Sequence, residues 1–367
     1  MAEINRETVL DALSNVIEPD IKKDIVALNF IDELKIDGNS VSFKVKVRNP
    51  AMHSKQRMRE ACEFAIERNL GKEVELDVDV IPLPADEESV DTRKVLPGVK
   101  HVVAVASGKG GVGKSTVAVN LAVGLAQKGY KVGLIDADIY GPSAPTMFDV
   151  LGERPSVTEV NKKQMIKPVE QYGVKLLSIG FFAEMNQAIV WRGPMASKAL
   201  NQLFTDAYWG PLDYMIVDLP PGTGDIHLSL VSLVPLSGAI VVSTPQEVAL
   251  ADARKGINMF QLDSVQVPVI GLVENMSYFS PPPHPEEKYH LFGRDGVKTL
   301  ADSTNVPFLG ELPIEQSLRE SGDVGRPAVM QEGTIIRKAF DEIITNFESS
   351  LGDLSSKGMI GKVVQIK

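Results

Sequence analysis

The run Gly108-Lys109-Gly110-Gly111-Val112-Gly113-Lys114-Ser115-Thr116 follows directly on the apolar stretch Val102 to Ala106, and few architectures accommodate that pairing. It matches G-x-x-x-x-G-K-[ST] between a strand and a helix, the setting of a phosphate-binding loop. Glycines are needed because the backbone must turn its N–H groups inward around phosphates, a conformation that side chains obstruct. Lys114 then reaches the β and γ phosphates, Ser115 offers a hydroxyl to Mg²⁺, and Thr116 completes the loop. The helix behind it, with Val117, Leu121 and Leu125 toward the core and Gly129 at its C-terminal end, points its positive end at the anion. ATP and Mg²⁺ are the expected cofactors.

Hydrolysis also requires carboxylates at neighbouring strand ends to hold the metal and orient water. One apolar run ends in Asp136-Ala137-Asp138; another, Tyr214 to Val217, ends in Asp218 and the turn Leu219-Pro220-Pro221-Gly222-Thr223-Gly224-Asp225. At strand C-termini these groups share an edge with the phosphate loop. Asp218 is the natural magnesium-side residue, Asp136 assists or caps a turn, and Asp138 is placed to orient the attacking water. Asp225 is equally readable as a turn residue.

From His101 onward short apolar runs alternate with helical segments: Val102 to Ala106, Val132 to Ile135, Val174 to Ile179, Tyr214 to Val217, Ala239 to Val242 and Val269 to Val273. Alternation of this kind predicts an α/β fold with a mostly parallel, doubly wound sheet. Residues 1–80 read as a separate small α+β domain: an amphipathic opening helix, two alternating runs at Val41 to Val47 and Val74 to Val80, and a helix from Ser54 to Asn69 between them. Residues 81–100, with Pro82, Pro84, Asp86-Glu87-Glu88 and Pro97-Gly98, read as a linker. The P-loop domain is assigned to 101–350, closing on a helix from Thr334 to Phe347, and 351–367 to a C-terminal extension.

A net charge of −10 repels nucleic acid in the absence of a basic patch. Met1 to Val16 lacks the apolar core of an export signal, and Leu228 to Thr244 is too short and too broken by Ser229, Ser232, Pro235 and Ser237 to cross a bilayer. A cytoplasmic location without membrane or nucleic-acid partners is expected. Cys62 is the only cysteine, which excludes an internal disulfide and an all-cysteine metal site within one subunit.

Four segments together closely resemble the Mrp/ApbC family of P-loop ATPases, relatives of MinD and ParA. They are Lys109 to Ser115, Asp136-Ala137-Asp138-Ile139-Tyr140-Gly141-Pro142-Ser143, Trp191-Arg192-Gly193-Pro194-Met195, and Asp218 to Asp225. The resemblance implies a homodimer that sandwiches two ATP molecules, with Lys109 reaching the partner's nucleotide to neutralise charge in the transition state. It also implies an adenine-side role for Asn275 in Val273-Glu274-Asn275-Met276. Residues 1–80 resemble the SufT-like domain that precedes such ATPases, through Glu18-Pro19-Asp20, Asp24-Ile25-Val26 and the Asn49-Pro50-Ala51 turn, although Met52 followed by His53 stands where a cysteine is usual.

Members of the resembled family carry iron–sulfur clusters for apoproteins, and the resemblance puts a C-x-x-C pair between Phe279 and Tyr289. This chain has Ser280-Pro281-Pro282-Pro283-His284-Pro285-Glu286-Glu287-Lys288 there. Cluster iron prefers thiolate, so His284 and His290 are poor substitutes, and a carried cluster needs ligands from a partner or a small thiol. Cluster carriage therefore stands beside an alternative: a MinD/ParA-like ATP-dependent switch or scaffold without its own cluster.

Overall fold

The computed structural model describes the chain apart from residues 1–3, 18–23, 29, 48–51, 72, 83–94, 97, 140, 161–162, 183–192, 225–226, 228–229, 232, 263–264, 282, 285 and 361–367. The Glu18-Pro19-Asp20 and Asn49-Pro50-Ala51 motifs, most of the expected linker and the last residues of the chain lie outside the described part. The chain divides into two compact units, residues 1–92 and 93–367.

In the first unit, helix α1 (Arg6–Leu13) is opened by Asn5, whose side chain accepts from the Thr8 amide while the Thr8 hydroxyl closes the box. Strands β1 (Ile31–Asp37) and β2 (Ser40–Val47) pair antiparallel, helix α2 (Met52–Leu70) crosses over, and β3 (Glu75–Pro82) returns parallel to β2. The alternation of Val41, Phe43 and Val45 puts these side chains into one core with Val9, Leu13, Met58, Cys62 and Ile66. Strand β1 adds an edge that the sequence reading lacked; Glu33, at φ +51, interrupts its alternation and breaks the register with β2.

The second unit is built on a sheet of order β13-β12-β11-β4-β10-β5-β9-β8 among the described residues. Its strands are β4 (Val99–Ala106), β5 (Val132–Asp136), β8 (Val169–Gln171), β9 (Val174–Ser178), β10 (Leu212–Asp218), β11 (Gly238–Ser243), β12 (Val269–Phe279) and β13 (Phe308–Ile314), with a ribbon of β6 (Ser156–Val160) and β7 (Lys163–Lys167) outside it. Every pairing in the large sheet is parallel except β8 with β9. Every residue of β5 and β11 is buried, so helices cover both faces, as a parallel sheet requires.

Helix α3 (Lys114–Gln127) follows β4, and its apolar residues leave little of it at the surface. Its end is a Schellman turn: Gly129, at φ +92, donates to the Ala126 carbonyl and Tyr130 donates to Leu125. Further α-helices among the described residues are α4 (Ala144–Met147), α5 (Gly193–Thr205), α6 (Glu247–Gln261), α7 (Gly296–Thr304), α8 (Gln316–Asp323) and α9 (Ile335–Ser356). Capped by Thr334, α9 runs past Phe347 through the expected end of the domain, because Leu351 is still in the core. Among the described residues no helix is long and apolar enough to cross a membrane.

Candidate nucleotide-binding site

The phosphate loop leaves β4 at the centre of the sheet, where the chain's crossovers reverse direction and an open α/β fold binds its ligands. Gly111 and Gly113 take left-handed conformations, φ +83 and +84, which favour glycine. A Cβ on Gly111 would meet nothing within 4 Å, and one on Gly110 would come no closer than 3.9 Å to Pro221, so this side of the loop is open. Gly108 is closed in: its Cβ would fall 2.2 Å from the Asp252 carbonyl carbon of α6. The loop's first turn is tied by the Ser107 hydroxyl, which donates to the Lys109 carbonyl at 2.9 Å. Lys109 itself is half-buried, and Ser115 and Thr116 are half-buried in the first turn of α3.

Asn275, expected beside the base, has its side-chain amide against the loop: Nδ2 donates to the Val112 carbonyl at 2.8 Å. A Cβ on Gly113 would lie 2.1 Å from the same nitrogen.

Three carboxylates gather under Lys114. Asp136 and Asp218 are register neighbours at the ends of β5 and β10, with Ser178 beside Asp136 on β9. The Lys114 ammonium lies 2.5 Å from Asp218 Oδ1 and 3.7 Å from Asp138 Oδ2 and donates to the Ser115 hydroxyl at 3.3 Å. Burial raises the Asp218 pKa, and Lys114 and the Ser115 hydroxyl oppose that rise. Oδ2 of Asp218 is buried without a hydrogen-bond partner among the described residues. An orphaned carboxylate oxygen beside a serine hydroxyl is a hard-oxygen donor set that fits Mg²⁺.

Asp136 is arranged differently. Its Oδ1 accepts from the Asp138 amide at 3.2 Å, and its Oδ2 accepts from the Ala144 amide at 3.1 Å and the Ser178 hydroxyl at 2.9 Å. It is fully buried, and burial followed by the neighbouring Asp218 charge pushes its pKa up. With protein donors on both oxygens, Asp136 acts first as the anchor of the Asp138 turn and of α4, the turn reading its sequence context already allowed.

The sequence reading passed over His227. It is 2% exposed, and its Nε2 is 2.6 Å from the Pro220 carbonyl in the turn after Asp218; because a carbonyl only accepts, Nε2 carries the proton. Pro221, the next residue, is the neighbour of Gly110. A histidine shortly after Asp-Leu-Pro-Pro was the available signal, but its acceptor is a backbone group that no pattern of side chains reveals. Asp225, Trp191, Arg192 and Tyr140 lie outside the described residues.

The sequence model of the NUBPL iron-transfer P-loop NTPases matches residues 98–348, more than half of the chain's 367 residues. The chain belongs to this family. Residues 6–78 match a second model, that of an iron–sulfur cluster assembly protein domain. An iron–sulfur cluster carrier protein of Synechocystis is 44% identical over 90% of this chain and 92% of its own length. The iron–sulfur cluster transfer protein NUBPL of mouse is 45% identical over 70% of the chain and 81% of its own. A nucleotide-binding protein of Archaeoglobus fulgidus, solved in complex with ADP, superimposes with a TM-score of 0.54 at 37% identity, covering 62% of this chain and 88% of that one.

In this family member the segment after β12 is closed at its base by two backbone hydrogen bonds between Phe279 and Tyr289, at 2.9 and 2.8 Å. His284 is exposed and pairs with Glu286 at 3.5 Å, while His290 Nδ1 is turned to the Ser277 carbonyl at 3.1 Å. Pro282 and Pro285 lie outside the described residues. Among those described, no group of three or more His, Cys, Asp or Glu side chains is arranged to hold a metal ion. Cys62 belongs to the other unit, where burial pushes its thiol up to about 12, far from the thiolate that iron requires.

Proposed function

We propose that this chain binds and hydrolyses ATP with magnesium and uses the cycle to deliver iron–sulfur clusters to apoproteins, acting in the cytoplasm as a homodimer. The observation that carries the nucleotide half is the buried Lys114 ammonium, 2.5 Å from Asp218 behind a loop that is open at Gly110 and Gly111. A triphosphate offers Lys114 a better counterion than Asp218, whose released carboxylate, with the Ser115 hydroxyl, would hold magnesium; the metal when bound supplies charge neutralisation on the β and γ oxygens. The amides from Gly108 to Thr116 line the phosphates, Asn275 stands on the base side, Asp136 holds the Asp138 turn, and Asp138 orients water. Lys109, without an ion pair among the described residues, is left to reach the partner's nucleotide.

Support for delivery is the family and the names of its members; the cluster is cargo, and the apoproteins are the recipients. The scarcity of thiolate favours a form of carriage in which a small thiol or the recipient supplies ligands. Its extreme is the switch or scaffold reading, in which the chain holds no cluster at all, and one observation speaks for it: the chain's single cysteine is buried in the first unit.

Anaerobic reconstitution with iron and sulfide, followed by visible absorption, separates these. The pure chain is expected to hold little stable cluster, to hold more when glutathione is added, and to pass it to an apo-ferredoxin faster with ATP. A stoichiometric cluster without added thiol would overturn the ligand argument, and transfer indifferent to both chain and ATP would leave the switch reading.

A further inference from the structure

One contact of the phosphate loop comes from neither its own strand nor its own helix. Asn275, on β12, is 3% exposed, and its Nδ2 donates to the Val112 carbonyl at 2.8 Å. That carbonyl and the Gly113 N–H belong to one planar trans peptide and point in opposite directions. By holding the carbonyl back, Asn275 turns the Gly113 N–H away from β12. Gly113 has φ +84, and a Cβ there would fall 2.1 Å from Asn275 Nδ2, so glycine is the residue that fits beside the asparagine as it stands.

The residue after Asn275 is strained. Met276 has φ +58, a left-handed conformation uncommon for a long side chain. The register between β12 and β13 also shifts between Asn275 and Phe279. Just beyond, the Ser277 hydroxyl donates to the Leu312 carbonyl at 3.1 Å and the Ser277 carbonyl faces His290 Nδ1 at 3.1 Å. Phe279 and Tyr289 then exchange their two backbone hydrogen bonds. A single short stretch of β12 thus touches the phosphate loop at one end and the base of the Phe279–Tyr289 closure at the other, with an irregularity between them.

Resting on the nucleotide reading above, we propose that Asn275 is a positioning residue for ATP turnover, and that through Met276 it couples the state of the phosphate loop to the Phe279–Tyr289 closure. Phosphate oxygens drawing on the Gly113 N–H rotate the peptide it shares with Val112, which moves the acceptor of Asn275. The strained bulge is the element with two arrangements that the nucleotide biases.

The test uses the full chain, with amide hydrogen exchange read at Phe279 and Tyr289 with and without Mg²⁺ and a slowly hydrolysed ATP analogue. In the wild type the nucleotide is expected to change exchange at both amides about tenfold. Asn275→Leu keeps the branching at Cγ and removes the donor; kcat is expected to fall about tenfold with a smaller change in KM, and the exchange response is expected to vanish. Met276→Gly, which relieves the strain and serves if the first variant fails to fold, is expected to keep wild-type turnover and lose the exchange response. Wild-type kcat in Asn275→Leu would overturn the positioning role. An unaltered exchange response in Met276→Gly, or none in a wild type that binds the analogue, would overturn the coupling while leaving the nucleotide reading intact. A wild type that does not bind the analogue would instead overturn the nucleotide reading.

Discussion

Lys114 is held between two carboxylates, Asp218 and Asp138, and its ion pair with Asp218 is buried on both sides, 6% and 2% exposed. Removing one partner of such a pair leaves a charge without compensation, at about 3 kcal/mol. Lys114→Ala is therefore expected to lose ATP affinity and also to lower the stability of the nucleotide-free protein by about that amount, read from urea unfolding. An exposed loop lysine would give the first effect without the second. His227 makes a pH-dependent contribution. Burial depresses its pKa below the ordinary 6.5, so an unfolded chain takes up a proton as the pH falls through 6.5 while the folded one does not. The stability associated with neutral His227 is full above pH 6.5 and is lost as the pH drops toward the folded value. His227→Gln should flatten that part of the stability profile, measured as urea midpoints at about pH 5.5 and 7.5; an unchanged slope would remove His227 from the account. Asp138, 9% exposed, is expected to slow turnover at least a hundredfold as Asp138→Ala with ATP binding spared, on the scale of a positioned general base.

Among the elements, the close approach of α6 to Gly108 has its own consequence. A methyl group at Gly108 would overlap the backbone of Asp252 and Ala253 at 2.2 to 2.5 Å, and a helix backbone yields less readily than a side chain. Gly108→Ala should lower stability by about 2 kcal/mol or more, whereas Gly111→Ala, facing open space, should cost mainly the strain of its positive φ. What the sequence disclosed follows the same physics. Strands β5, β10 and β11 are continuous apolar runs because both of their faces are covered, and they were readable as such. Strand β13 was not, since Gly310, Glu311 and Pro313 interrupt its apolar pattern, and the β6–β7 ribbon, with Val157 66% exposed, has no buried face to leave a signature. The length of α9 was hidden by Gly352, a residue that suggests a helix end yet lies within one. The phosphate loop and the carboxylates around Lys114 were readable because their chemistry lies in side chains at fixed spacing. The Asn275 and His227 contacts were not, because both end on backbone carbonyls whose direction depends on the fold.

At the scale of the whole molecule, the two units have separate cores, one around Val41, Cys62 and Ile66, the other around the large sheet. Each buries its own apolar residues, so a fragment of residues 93–367 is expected to fold and bind ATP, checked by circular dichroism and titration. In the full chain, the one thiol should remain unreactive toward a maleimide at pH 8 until the first unit opens, because burial holds Cys62 protonated to about pH 12. Rapid native labelling would contradict its place in the core. An acidic molecule with one inaccessible thiol has little means of gripping a cluster by itself, which makes the proposed ATP cycle the part of the functional reading most firmly rooted in its own residues.

Calorimetric titration of ATP into the full chain with magnesium present, alongside Lys114→Ala, tests that cycle at its first step. Saturable binding of one ATP per chain, abolished in the variant, is the expected result. No heat from the wild type, or the same affinity in both proteins, would contradict a phosphate loop at Gly108 to Thr116.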